Sequence, residues 1–355
     1  HVREHRAGTP RLHAPMIIGP ADGITPRDYQ HHCVFGGDPR RGPGIVPCLE
    51  RYESVLVVMA TGTGKTISFL MLTRWWLENH PDRVLWLSHR DELVTQPMER
   101  SAKFGMSAAR EQGKLSGVGA FERIVSSTVQ SMSRRLARYK PDDFGLIIID
   151  EAHHSAADEY KKVIQYFSRS KRLGFTATPG RLDGIGLGEV FDAVAFDYPI
   201  DEANDDGWLC EIKPKEVKIP DLDLDQLRTR AGDLEIEGLG ALMAEYASPV
   251  AAALVDYVGS MQTIVFCCTV AHAAAQAEAL RKCTRAGVGF ADGSTDKDVR
   301  RRMLADYDAG RLQFLVNVQL WTEGLDTRAD CIALARPTKS VSLYQQMVGR
   351  GTRPL

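Results

Sequence analysis

The 355-residue chain has no C-x-x-C pair: its seven cysteines stand scattered at 33, 48, 210, 267, 268, 283 and 331. Such a scatter predicts reduced thiols, several in or beside strands, rather than a disulfide framework. No apolar run approaches the roughly 18–20 residues that a membrane span needs, so a membrane partner is not expected. The first residues, HVREHRAGTPRLHAPMIIGP, carry charge but far too short an apolar stretch for a signal peptide. These absences together predict a cytoplasmic or nucleoid-associated protein. A basic excess is missing too: 44 Lys and Arg face 46 Asp and Glu, for a net charge of −2. That argues only weakly against a polyanionic partner, because a locally basic groove can sit on a neutral protein. What is present is ordinary for a globular chain, and the length suffices for two domains.

Short apolar runs with turn signals behind them read as buried parallel strands at 54–60, 83–88, 123–128, 146–150 and 172–178. Helical stretches lie between them, at 65–79, 91–104 and 155–168. This alternation predicts an open parallel α/β sheet, whose ligands bind at the carboxyl ends of its strands. The pattern lapses between about 200 and 250, in an Asp-, Glu- and Gly-rich segment that reads as a linker with one or two strands. It resumes with strands at 263–269, 288–290, 314–318 and 331–335, and helices at 271–282, 296–308 and 340–349. The expected organisation is an N-terminal tail (1–21), a first α/β domain (22–200), a hinge (201–250) and a second α/β domain (251–355).

MATGTGKT, residues 59–66, follows the first strand and precedes a helix. Glycines 62 and 64 let the backbone of Thr61, Gly62, Thr63 and Gly64 curl so that its N–H groups face a phosphate. Lys65 can reach the β- and γ-phosphates, and the Thr66 hydroxyl can ligate Mg²⁺. Met59 departs from the small residue usual at that place, but the dense T-G-T-G-K-T core and its flanking elements outweigh it. A phosphate loop needs an acidic partner at the end of a nearby strand. IIIDEAHHSAADEY (147–160) supplies one: Asp150 would hold Mg²⁺ through water, Glu151 would polarise the attacking water, and His153 would face the γ-phosphate. The same crowding of carboxylates and imidazoles admits a zinc site. That reading wants two histidines one helical turn apart, whereas His153 and His154 are adjacent and point apart, with no cysteine within twenty residues. His154 is assigned no chemistry.

MATGTGKT, DEAH (150–153), TAT (176–178), TEGLD (322–326) and QMVGRGTR (346–353) stand in the order found in superfamily 2 helicases and translocases. From about residue 25 onward the chain resembles the DEAH-type, ResIII or XPB-like DNA helicases more than the DEAD-box RNA helicases. The resemblance implies two RecA-like domains with Mg²⁺-ATP in the cleft between them and nucleic acid, DNA rather than RNA, across both. It implies adenine recognition by Arg27 and Gln30, and nucleotide contacts from Gly324 and Asp326. Thr176 and Thr178 would relay between nucleotide and nucleic acid. Gln346 would face the γ-phosphate or water, and Arg350 and Arg353 would be arginine fingers, sharing a helical face if the last helix continues that far. Contacts to nucleic acid, mainly to phosphate, would come from His89, Arg90, Thr128, Gln130 and Thr322. Thr or Ser at a strand end is equally a helix cap.

Gln319, Leu320 and Trp321 depart from the small or aliphatic residues usual before TEGLD. Trp321 reads as packing between the lobes before it reads as a platform for a base. The chain stops at Leu355, directly after the last motif, where family members normally continue, so accessory domains or partner subunits beyond that point are expected. The function expected is an ATP-dependent helicase or translocase. Two rivals are a duplex-DNA translocase module of a restriction or defence complex, and a sensor or scaffold that uses ATP as a clamp.

Overall fold

The computed structural model of the chain describes residues 25–177 except 156, then 187–188, 190–224, 227–230, 233–321 and 327–352. Thirteen strands and twelve α-helices alternate among these residues. The first part runs α1 (Asp28–Phe35), α2 (Ile45–Arg51), β1 (Ser54–Met59), α3 (Lys65–Asn79), β2 (Arg83–Ser88), α4 (Asp91–Lys103), β3 (Ala108–Glu111), β4 (Ile124–Thr128), α5 (Val129–Arg135), β5 (Phe144–Ile149), α6 (Asp158–Tyr166), β6 (Lys171–Thr176), β7 (Ala193–Tyr198) and α7 (Ile200–Asp205). Its sheet has the order β3-β4-β2-β5-β6-β1-β7, with every pair parallel.

Both faces of this sheet are covered, which is why its strands are apolar without interruption. Val55, Val57 and Met59 of β1 pack with α1, α2 and α3 on one face. Leu56 and Val58 point the other way, with residues of α5 and α6. Each such fully buried aliphatic contributes about 1.5–3 kcal/mol relative to leaving it in water. The edge strands β3 and β7 escape a search for apolar runs: β3 is AARE, and β7 mixes buried residues with the exposed Val194 and Asp197.

The Asp-rich stretch beyond residue 200 holds α7, a two-residue hairpin of β8 (Thr229–Arg230) and β9 (Asp233–Leu234), and α8 (Ile236–Glu245). The second part follows: α9 (Ala247–Val258), β10 (Thr263–Phe266), α10 (Val270–Cys283), β11 (Val288–Ala291), α11 (Lys297–Asp308), β12 (Phe314–Asn317), β13 (Cys331–Leu334) and α12 (Val341–Val348). Its sheet, β11-β12-β10-β13, is also wholly parallel. The chain is thus two parallel-sheet α/β lobes with the architecture of RecA-like domains. Among the described residues no single helix is long and apolar enough to cross a membrane.

Candidate nucleotide site and inter-lobe cleft

In a parallel sheet the carboxyl ends of all strands lie along one edge. Here that edge gathers the loop after β1 (60–64), Ser88–Arg90 after β2, Thr128 at the end of β4, Asp150 after β5 and Thr176 at the end of β6. Register holds them together: Val58 of β1 pairs with Thr176, and the Asp150 N–H donates to the Leu87 carbonyl at 3.0 Å.

The loop after β1 is a cradle with positive φ at Gly62 (92°) and Gly64 (78°). A side chain at Gly64 would be doubly obstructed, because its Cβ would fall 2.6 Å from Gln30 Nε2. Thr63, fully buried, closes the cradle through its hydroxyl to the Ala60 carbonyl at 2.7 Å. Helix α3 begins at Lys65, so its unpaired N–H groups point toward the cradle and favour an anion there. Thr66 stands in that first turn.

Gln30 and Arg27 come to the same place. Gln30 Nε2 donates to the Thr63 carbonyl at 2.9 Å, and its Oε1 accepts from the Arg27 N–H at 2.9 Å. Tyr29, between them, was not singled out by sequence, yet its hydroxyl donates to that same carbonyl at 2.6 Å. Its position inside the RDYQ segment was the available signal. Burial raises the Tyr29 phenol above its ordinary pKa, which keeps it a donor.

Glu151 is buried and left-handed, at φ 52° and ψ 56°. A non-glycine residue in that region costs of order 1–3 kcal/mol, and such residues cluster at functional sites. Its Oε1 lies 3.5 Å from Lys65 Nζ. Its Oε2 is buried without a hydrogen bond and has His153 Nδ1 at 3.5 Å. His153 continues the chain of contacts: Nδ1 is 3.4 Å from Thr176 Oγ1, and Nε2 is 3.3 Å from Gln346 Nε2 on α12 of the second lobe.

The second lobe also touches the cradle directly. Gly349 packs against Thr61 so closely that an added Cβ would lie 2.6 Å from the Thr61 Cβ. Arg350 follows, buried, with its N–H donating to the Met347 carbonyl at 3.2 Å. Helix α12 ends at Val348, so Arg350 stands in a turn and not on a continuing helical face. That removes the basis for placing Arg350 and Arg353 on one face. Arg353, Thr178, Thr322, Gly324 and Asp326 lie outside the described residues.

Along the rest of the edge, Arg90 donates from Nε to His89 Nε2 at 3.1 Å and from Nη1 across to the Gln319 carbonyl of the second lobe, also at 3.1 Å. Gln319 is itself left-handed, with φ 50°. Thr128 caps α5, its Oγ1 accepting from the Ser131 N–H at 3.3 Å, while Gln130 is exposed. Trp321 is buried within the second lobe's own core, beside Ile264, Phe266, Tyr307 and Met347. Packing is its observed role, although inside one lobe and not between two.

Two family descriptions match the chain. "Type III restriction enzyme, res subunit" (ResIII) matches residues 23–181, and "Helicase conserved C-terminal domain" matches residues 250–354. A Saccharomyces cerevisiae protein carrying the name ATP-dependent helicase IRC3 is 33% identical over 319 residues, 84% of this chain and 46% of its own length. The Escherichia coli type I restriction enzyme EcoAI endonuclease subunit is 27% identical over 369 residues, 93% of this chain and 44% of its own length. This chain therefore spans about half the length of these curated relatives. Among solved structures, the Pyrococcus furiosus Hef helicase domain superposes with a TM-score of 0.56 at 17% identity, covering 92% of this chain and 93% of that one. An HsdR-subunit fragment of a type I restriction enzyme from Vibrio vulnificus gives 0.62 at 23% identity, covering 86% and 58%. At those identities the superpositions speak for the fold alone, but the two family matches take in most of the chain, and it belongs to the superfamily 2 helicases of the ResIII type.

Proposed function

We propose that the chain is an ATP-driven nucleic-acid motor of the DEAH type, in which hydrolysis in the inter-lobe cleft moves the lobes along a strand. The observation that carries this reading is the line of contacts Lys65–Glu151–His153–Gln346, which crosses from the phosphate cradle of one lobe to α12 of the other.

The cradle 61–64 and the start of α3 bind the triphosphate through backbone N–H groups, and Lys65 leaves Glu151 for the β- and γ-phosphates. Released from Lys65, Glu151 uses its otherwise unpartnered Oε2 to orient the attacking water and accept its proton. Gln30 and Arg27 read the adenine. Arg350, with Arg353, spreads its donors over the charge that develops on the transferring phosphoryl group. The donor set also fits Mg²⁺: Thr66 and Asp150 would hold it, Asp150 through water, and the ion would neutralise charge on the phosphate oxygens. His89, Arg90, Gln130 and Thr322 contact the nucleic-acid backbone, and Thr128 does so from its capping position. Thr176 and Thr178 carry the state of the nucleotide toward them, and Gly324 and Asp326 complete the pocket from the second lobe.

DNA is the favoured track, by likeness to relatives named as restriction-enzyme subunits and DNA translocases. The test is the ATPase rate with single-stranded DNA, duplex DNA and RNA side by side. Stimulation by DNA above RNA is expected, and no stimulation by any of them removes the motor reading. A second reading, a translocase on duplex DNA that does not separate strands, draws on the same restriction relatives. Clearance of a triplex strand from a forked duplex that itself stays paired would select it.

A further inference from the structure

Helix α7 ends in a left-handed turn at Gly207, φ 75°. The Gly207 N–H donates to the Asn204 carbonyl and the Trp208 N–H to the Ala203 carbonyl, both at 2.9 Å. This is the paired 5→2 and 6→1 closure of a Schellman turn, and it fixes where the chain leaves the helix. The exit delivers the Trp208 indole to the corner formed by Arg27 and Tyr29. The Tyr29 ring meets it edge-on at 5.5 Å, and the Arg27 guanidinium lies over it at 4.7 Å. Arg27 Nη1 also donates to the Tyr29 hydroxyl at 3.0 Å, so indole, guanidinium and phenol hold one another in place.

The next residue, Leu209, is buried in the core of the first lobe. The one after, Cys210, donates its backbone N–H to the Thr352 carbonyl at 2.8 Å. Thr352 is 1% exposed, bonds through its hydroxyl to the Gly349 carbonyl at 3.1 Å, and follows Arg350 by two residues. Three consecutive residues, pinned in the middle, therefore touch the Arg27 corner at one end and the arginine segment of the other lobe at the other.

We propose that Trp208–Cys210 is a coupling strap: Trp208 positions Arg27 for the adenine base, and the Cys210–Thr352 hydrogen bond makes the placement of Arg350 depend on a base being bound. The inference rests on the ATP-motor reading and specifies how the base contributes to its rate. A base held by Arg27 and Gln30 fixes the guanidinium against the indole and so steadies the strap. Without a base, the guanidinium is held by Tyr29 and Trp208 alone, and the strap holds the arginine segment less firmly. Base recognition then raises kcat as well as affinity, because an interaction remote from the reacting phosphate is used to orient a group that acts in the transition state. Trp208 and Cys210 are positioning residues and touch no reacting atom.

The test compares ATP with inorganic tripolyphosphate, which offers phosphates but no base, as substrates of the full chain. Wild type should turn over ATP at least about tenfold faster than tripolyphosphate, the factor that one oriented hydrogen bond supplies. Trp208→Ala should raise KM for ATP and bring its kcat down toward the tripolyphosphate value, and Trp208→Phe should restore most of the difference. Cys210→Pro, which removes the N–H donor together with the thiol and fixes φ, should lower kcat for ATP with the Kd of a fluorescent ATP analogue kept within about twofold. Tripolyphosphate turnover should stay level in all variants. A change in KM alone, or an equal fall for both substrates, overturns the strap. If Cys210→Pro does not fold, the Trp208→Ala and Trp208→Phe pair decides by the same criterion. Wild type without any ATPase activity would instead remove the motor reading, and the strap with it.

Discussion

His153 Nε2 and Gln346 Nε2 lie 3.3 Å apart across the cleft, one on the loop after β5 and the other on α12. On the other side of the ring, His153 Nδ1 has Thr176 Oγ1 at 3.4 Å and Glu151 Oε2 at 3.5 Å. His153 thus touches the Glu151 carboxylate, the end of β6 and the second lobe at once. Gln346→Ala should lower nucleic-acid-stimulated kcat by roughly 10- to 100-fold, since it removes a contact used in the closed, reacting state. Steady-state ATPase kinetics check it: KM for ATP should stay within about threefold, and a large KM rise at unchanged kcat would place Gln346 in ground-state binding.

Gly349 has helical φ and ψ, −60° and −8°, so its backbone would accept alanine. Space would not: the added Cβ meets the Thr61 Cβ at 2.6 Å and the Gln345 carbonyl oxygen at 2.9 Å. Gly349→Ala should therefore wedge the second lobe off the phosphate cradle, at a packing cost of about 1–3 kcal/mol concentrated at that contact. ATPase activity should fall sharply. Each lobe's own unfolding by circular dichroism should change little. Normal turnover would mean that Thr61 and Gly349 separate during the cycle.

The fold was legible in the sequence wherever strands are buried on both faces. All five apolar runs of the first lobe and all four of the second are strands in the structure, within a few residues. The edge strands β3 and β7 were not legible because an edge needs only one apolar side. In the site, the glycine loop and DEAH segment were readable because each residue type has a fixed chemical task at a fixed spacing. Tyr29, Trp208 and Gln319 were not, since their neighbours in space lie 34, 181 and 229 positions away in the chain. Spacing cannot show such pairs.

His272, on α10, is fully buried and accepts the Cys268 N–H at Nδ1, 3.2 Å away. Burial lowers its pKa to about 4. The folded state thus binds fewer protons than the unfolded state between pH 4 and the ordinary histidine value of about 6.5. Stability rises with pH across that window, is complete above it, and falls as pH drops through it, by up to about 3 kcal/mol from this group. His272→Asn keeps an acceptor for the Cys268 N–H and does not titrate. The variant should lose part of the acid-side decline in Tm between pH 6.5 and 4, and an unchanged decline would show that His272 is protonated in the folded state.

Glu151 combines three costs at one residue: a left-handed backbone, burial, and a carboxylate oxygen with no hydrogen bond. None is needed for packing, since Ala152, fully buried in the core beside it, does that work. The combination makes sense if the free oxygen is reserved for a water and the companion oxygen holds Lys65 until a phosphate takes it. Glu151→Gln keeps shape and backbone but cannot take a proton from water, so turnover should fall by at least about 10²-fold, the scale of general-base catalysis. Binding should survive: without the carboxylate, Lys65 has no ion pair with residue 151 to leave before it meets the phosphate. The rise in Tm on adding Mg²⁺-ATP, which grows as the logarithm of ligand over Kd, should equal or exceed that of wild type. Lys65→Ala should lose both turnover and the ATP-induced rise. A Glu151→Gln variant that hydrolyses ATP at the wild-type rate would take the general base away from Glu151 and leave its strained geometry unexplained.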